Sequence, residues 1–347
     1  MKKRVILIYS LLLIGVFSSC NDETPAPSGI QFPDGAVFEQ LSSYNLFEGP
    51  LADLSPSEGL VPYDLNTPLF TDYASKQRFV YVPDGSIIPY DTLGALKFPI
   101  GSILVKNFSY TLENGNKRIV ETRLLLHQNN GWNAEVYYWN NEQTDASRLI
   151  VGKSEDINFK YNGKVLTTNY MVPNKNQCKN CHALGNTITP IGPKVGNLNK
   201  EYTYSENSTN QITKWIDVGI LQNPTHSTIP KWPDFRNGNA NLNMKARAYL
   251  EVNCGHCHNK QGAASNSGLY LDYYNTDEFS LGVNKAPVSA GVGSGGLSFD
   301  IVKGDAENSI LYYRMNSVSV EVRMPELGRS LIDEEGVSLI KEWIDTL

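Results

Sequence analysis

The hydrophobic rhythm of the chain changes three times. Val5 to Phe17 is an almost unbroken apolar run behind the basic residues Lys2, Lys3 and Arg4. From Thr67 to Tyr170, β-branched and aromatic residues come in short bursts, as in Arg78–Val82, Ser102–Tyr110, Lys117–Leu126 and Ala134–Trp139, which predict strands. Asn114-Gly115, Asn130-Gly131 and Asn162-Gly163 fall between such bursts and predict hairpin turns. Together they read as an antiparallel β sandwich or barrel of roughly 7–9 strands. Beyond residue 172 the period becomes helical. Ile212, Trp215 and Ile216 share one helical face, as do Lys245, Ala248, Tyr249 and Val252. Leu339–Asp345 repeats the tryptophan-bearing pattern at the C-terminus, with Asp333 as its expected N-cap. The expected fold class is therefore mixed: an N-terminal antiparallel β sandwich or barrel followed by mainly α units.

Composition narrows the picture only slightly. Thirty basic and 36 acidic residues leave a net charge of −6 in 347 residues, which argues against nucleic acid as a partner. The apolar run is too short to span a membrane and suits the core of an export signal. Ser18-Ser19-Cys20 after it resembles a bacterial lipoprotein signal, with lipid attached at Cys20 and residues 1–19 removed. The polar, proline-bearing stretch after Cys20 reads as a tether over 20–36. Asn21 and the acidic pair Asp22-Glu23 resemble the sorting signals of Bacteroidetes lipoproteins. An outer membrane lipoprotein facing the periplasm or the cell surface is expected.

The other four cysteines occupy two identical frames, Cys178-Lys179-Asn180-Cys181-His182 and Cys254-Gly255-His256-Cys257-His258. In a helical turn, cysteines at i and i+3 face one side and can each form a thioether with a haem vinyl group. The histidine at i+4 can then ligate the iron. Chance alone would place one such frame in roughly one sequence of this composition per thousand. A zinc site would need the two pairs close together in sequence, whereas 72 residues lie between Cys181 and Cys254. A thioredoxin-like dithiol would need a βαβ setting that the pattern lacks. Two covalently bound c-type haems are expected, at Cys178, Cys181 and His182 and at Cys254, Cys257 and His258, with the histidines as iron ligands.

The sixth ligand distinguishes the two frames. Met324, in Arg323-Met324-Pro325-Glu326-Leu327-Gly328, lies in a loop just before the closing helix and is the expected distal ligand of the second haem, ahead of Met315. Aligning Trp215 with Trp343 puts Gly196 where Met324 stands in the second unit. The first haem is left with Met244, Met171, His226, His127 or an open face. The Gly-rich segment 290–296 lacks the Lys-Ser/Thr of a phosphate loop and reads as a haem-side loop. Glu121-Thr122-Arg123 reads as the polar face of a strand.

Further segments carry a family resemblance: Thr67-Pro68-Leu69-Phe70-Thr71-Asp72-Tyr73-Ala74, Phe98-Pro99-Ile100-Gly101, Thr189-Pro190-Ile191-Gly192-Pro193-Lys194 and Tyr249-Leu250-Glu251-Val252-Asn253-Cys254. With the two frames they resemble an uncharacterised family of bacterial dihaem c-type cytochromes that join an N-terminal β domain to two haem segments. Lys303-Gly304-Asp305 and Met324-Pro325 also resemble single cytochrome c domains of larger redox proteins. The resemblance implies a β domain over 37–172, a first haem unit over 173–223, a connector over 224–240 and a class I cytochrome c-like second unit over 241–347. It implies electron transfer between a donor and an acceptor redox protein, with no catalytic residue assigned. The alternative is a dihaem peroxidase-like oxidoreductase, motivated by the absence of methionine at Gly196.

Overall fold

Strand-forming residues dominate the first half of the computed structural model, which describes residues 29–33, 35–224, 228–236 and 239–347. Six strands form one antiparallel sheet: β1 (Leu60–Tyr63), β2 (Ser75–Tyr81), β3 (Ile103–Thr111), β4 (Lys117–Gln128), β5 (Gly131–Trp139) and β6 (Ala146–Arg148). They pair strictly in chain order. A long hairpin, β7 (Lys153–Tyr161) and β8 (Lys164–Val172), comes next as a separate two-stranded layer. The expected turns are present. Asn162 and Gly163 both adopt positive φ, 47° and 76°, as a two-residue hairpin of matching twist demands.

Both faces of the sheet are covered. Phe79, Val105, Leu124, Leu126, Tyr137 and Trp139 pack under the segment containing Leu41, Tyr44 and Leu46. The opposite face carries two apolar clusters. Val80 and Leu104 meet Val195, Ile212 and Trp215 in one, while Phe108, Tyr110 and Val136 meet Ile157, Phe159, Tyr170 and Cys178 in the other. A further core joins Tyr249, Leu271, Met315, Ile340 and Trp343 in the C-terminal third. Because both faces of the central strands are covered there, Glu121 and Thr122 are both fully buried. The reading of Glu121-Thr122-Arg123 as a strand's polar face is thus corrected. Tyr170 and Arg123 bind the Glu121 carboxylate, and Trp139 donates to Thr122 at 2.9 Å.

The expected fold class does not hold. The sheet is open, since β1 and β6 do not pair, so it is not a barrel. The remainder of the described chain is not built of mainly α, cytochrome-like helical units. The helices are short: α1 (Lys175–His182), α2 (Val195–Leu198), α3 (Gln211–Asp217), α4 (Leu242–Leu250), α5 (Ile310–Met315) and α6 (Glu334–Asp345). The α6 helix, the longest at 12 residues, begins at Asp333, whose carboxylate accepts from Gly336 N as an N-cap. Between α4 and α5 the described chain runs mostly in turns. Asn, Asp, Ser and Gly are dense there, and their side chains hydrogen-bond nearby backbone in place of a helix ladder, as Asn275 does to Tyr270 O and Asp277 N. The predicted amphipathic faces exist, but each is only two or three turns long.

Asp72 ties the β sheet to the C-terminal third. Its carboxylate, 2% exposed, accepts from Ser330 N and Leu331 N, both at 2.8 Å, and from the hydroxyls of Thr168 and Ser330 at 2.9 Å. Lys194 and Glu251 add an ion pair between the segment after α1 and the turn after α4.

Candidate functional site

The first frame forms the end of α1. Asn174 starts that helix with a capping box, accepting from Gln177 N at 3.0 Å while Gln177 Oε1 accepts from Asn174 N at 2.9 Å. Cys178, Cys181 and His182 then fall within two turns. The second frame is approached differently. The α4 helix widens into a π-helical turn over Glu251–Gly255, so Cys254 leaves a wound segment while Cys257 and His258 fold back to donate to Cys254 O at 3.0 and 2.9 Å.

The two frames, distant in sequence, meet in space. Cys257 and Cys181 lie close enough to govern each other's thiols: the partner sulfur, together with His256, draws the Cys181 thiol below its usual range, and the same neighbour holds the Cys257 thiol up. Gly185 N donates to Gln261 O at 3.0 Å, so the loops leaving the frames also touch. Burial pushes the Cys254 thiol up to about 12 and raises Cys178 as well. All four cysteines are free thiols rather than disulfides. They line a cavity of about 740 Å³ together with His182, His258, Met171, Met315 and Met324. That is the size of a cofactor site.

The histidines are arranged to present Nε2. His182 Nδ1 lies 2.8 Å from Thr189 O, a carbonyl that can only accept, so Nδ1 carries the proton and donates. His258 Nδ1 lies 3.2 Å from Ser267 Oγ. That hydroxyl already gives its single proton to Ala264 O at 2.6 Å, so it too accepts. Both imidazoles are therefore fixed as Nδ1–H tautomers with Nε2 left bare, the arrangement of a histidine metal ligand held by an outer partner. Burial also lowers both to about 4, so they are neutral at pH 7. Among the described residues no group of three or more His, Cys, Asp or Glu side chains is placed to hold a bare metal ion. A haem iron needs one such histidine per centre, with the cysteines free for the macrocycle, and the residues present fit that requirement.

The distal candidates separate by position. Met324 lines the cavity from a loop that Arg329 holds in shape. The Arg329 guanidinium, 6% exposed, donates to Met324 O at 2.8 Å, Ser317 O at 2.9 Å and Leu331 O at 3.0 Å. Met315 lines the cavity as well, from α5, and is built into the apolar core around Trp343. For the first frame, Met171 at the end of β8 lines the cavity, with Gln177 Nε2 3.6 Å from its sulfur. Met244 is 43% exposed and is not among the cavity residues. His127 stacks on Trp132 and holds Phe98 O at 2.8 Å, away from the cavity. His226 and Cys20 lie outside the described residues. Gly196 is not where the repeat alignment put it. It packs against the Trp232 indole, 2.5 Å from where a Cβ would sit, and does not face the cavity. Ser289 and Ala290, at the start of the Gly-rich segment, do line it.

Three cavity residues were hidden in sequence. His256 stood as a spacer inside the second frame, yet its Nδ1 is buried without a partner. Arg78 and Lys106 stood as ordinary strand residues, and only strand register shows that they share a face. No protein-family model, curated protein or solved structure matches the chain. Among the described residues no helix is long and apolar enough to cross a membrane.

Proposed function

We propose that the chain is a dihaem c-type cytochrome that transfers electrons in the periplasm or at the outer membrane, anchored there through Cys20. The observation that carries this reading is the convergence of two C-x-x-C-H frames on one cavity, each with its histidine fixed to offer a bare Nε2. Bound haem would supply a one-electron iron couple whose potential the protein tunes through ligands, hydrogen bonds and burial.

The chain's own residues do the rest. Thr189 and Ser267 orient the two imidazoles. Arg329 shapes the loop that offers Met324 to the second site, and Met171, lining the cavity beside Gln177 of the first frame's helix, is the candidate for the first. The contact between Cys181 and Cys257 sets the two attachment points side by side, which suits relay of electrons between them. The peroxidase-like alternative took its motive from Gly196, and that residue does not border the cavity.

Mass measurement of the exported, mature chain tests the proposal. Two covalent haems per chain are expected, falling to one on replacing Cys178 and Cys181 by Ala. Any other number defeats it. Redox-resolved absorption should then show both centres accepting one electron each, with no peroxide turnover.

A further inference from the structure

Between the two apolar clusters on the inner face of the sheet runs a row of a different kind. Arg78 of β2 pairs directly with Lys106 of β3, and Lys106 pairs directly with Arg123 of β4. Directly paired residues project from the same face, so three cations stand side by side across three strands. All three line the cavity of the two frames. Like charges directly opposite destabilise a sheet, and buried charge is costly unless matched.

The protein's own carboxylates match them only in part. Asp64 holds Arg78 at 2.7 Å but is shared with Lys200 at 2.9 Å. Glu121 is taken by Arg123. The other carboxylate at this wall, Glu135, is held by Arg148 at 2.7 Å and Lys175 at 2.9 Å. Among the described residues Lys106 has no carboxylate and no hydrogen bond, only the Phe108 ring 4.9 Å from its ammonium. Arg78 is 4% exposed, and its second terminal nitrogen is buried without a partner. Burial, with Arg78, Lys76 and Arg123 nearby, pushes the Lys106 ammonium well below its usual range, as expected of a cation that lacks its anion. The row is thus a preformed anion seat facing a cavity.

The first frame is the one beside it. Cys178 packs in the same apolar cluster as Phe108, whose ring Lys106 and Arg123 cover at 4.9 and 4.3 Å. We propose that the Arg78–Lys106–Arg123 row seats the carboxylates of the tetrapyrrole carried by the Cys178–His182 frame, so that the β sheet forms the anion-binding half of that haem site. The proposal rests on the dihaem reading above.

The test uses the mature dihaem protein with Lys106→Met and Lys106→Arg. Removing a cation beside the macrocycle favours the more positively charged oxidised iron, so the Met variant should lower one midpoint potential and leave the other unchanged. The haem carboxylate bending band in resonance Raman should shift with it, and the Arg variant should restore both. If the Met variant fails to accumulate, Arg78→Gln is read in the same way. Two attached haems with unchanged potentials and an unchanged band overturn the seat while leaving the dihaem reading intact. A chain without covalent haem overturns both. A wild-type potential that moves on titration with chloride or acetate at constant ionic strength would place a diffusible anion on the row and also overturn the proposal.

Discussion

Replacing Asp72 with Asn should loosen the whole C-terminal third. The carboxylate accepts five contacts from four donors: Ser330 N on both oxygens, Leu331 N, Ser330 Oγ and Thr168 Oγ1. An asparagine keeps the shape but offers one acceptor oxygen and turns an NH2 group toward the remaining donors. At about 1.5–3 kcal/mol for each bond to a charged acceptor, two lost bonds cost about 3–6 kcal/mol. Against a typical total of about 5–15 kcal/mol this is a large fraction. At about 2–4 °C per kcal/mol for a chain of this class, the melting temperature should fall by roughly 10 °C. Calorimetry of the mature protein reads it directly. Ser330→Ala, which removes only a hydroxyl, should cost about 1 kcal/mol and separates the backbone bonds from the side-chain one. Asp72→Asn melting within a degree of wild type would show that Asp72 does not fasten the 330–331 loop to the sheet.

Four further outcomes can be measured. On the dihaem reading, Met324→Ala should convert one haem from low to high spin and lower its potential, while Met315→Ala should mainly cost about 2–5 kcal/mol of stability in denaturant titration. The reverse pattern would assign the ligand to Met315. Met171→Ala should change the spectrum of the other haem, and an unchanged spectrum excludes Met171 as its ligand. Gly196→Ala should destabilise by about 1–3 kcal/mol in the same titration, because its Cβ meets the buried Trp232 indole at 2.5 Å. Acid should act late on the native histidines. Their folded pKa values, about 4, lie below the ordinary 6.5, so an unfolded chain takes up protons first and stability declines as pH falls from about 6.5 toward 4. Acid titration of the haem-free chain reads this directly, and a stability that stays flat between pH 6.5 and 4 would contradict the burial of the two imidazoles.

Local chemistry was legible in the sequence where a few neighbouring residues decide it. The Asn-Gly turns, the Asp333 cap and the frame on α1 all depend on contacts within four residues. Features set by pairing between distant segments were not legible. Period-two alternation tells which residues share a face of one strand, but not what covers that face. Glu121 and Arg123 therefore read as a strand's polar face, when a second layer buries Glu121 fully and leaves Arg123 only a quarter exposed. The same gap hid the alignment of Arg78, Lys106 and Arg123, which exists only through the register of three strands. The helical faces were read correctly in phase and wrongly in extent. The spacing of apolar residues does not reveal that Asn- and Ser-rich flanks will compete for the backbone. Gly196 misled because the alignment of two tryptophan helices assumed a repeat. In the fold, Trp215 packs with Tyr63 and Phe98 of the sheet side, whereas Trp343 packs with α4 and α5.

The meeting of Cys181 and Cys257 has a consequence for how such a chain is made. The cavity wall draws on residues from Tyr63 to Val337, so it is complete only when nearly the whole chain has folded round it. On the dihaem reading, each macrocycle, bonded at its own frame, would have to enter before α6 and its Asp333 cap close the C-terminal third. If export places the chain in an oxidising compartment, a fold that closes without haem would hold the inner thiols of two different frames side by side, where a disulfide would block both attachment sites at once. Assembly thus becomes a race between thioether formation and closure, with the reduced state of these two sulfurs deciding which product accumulates.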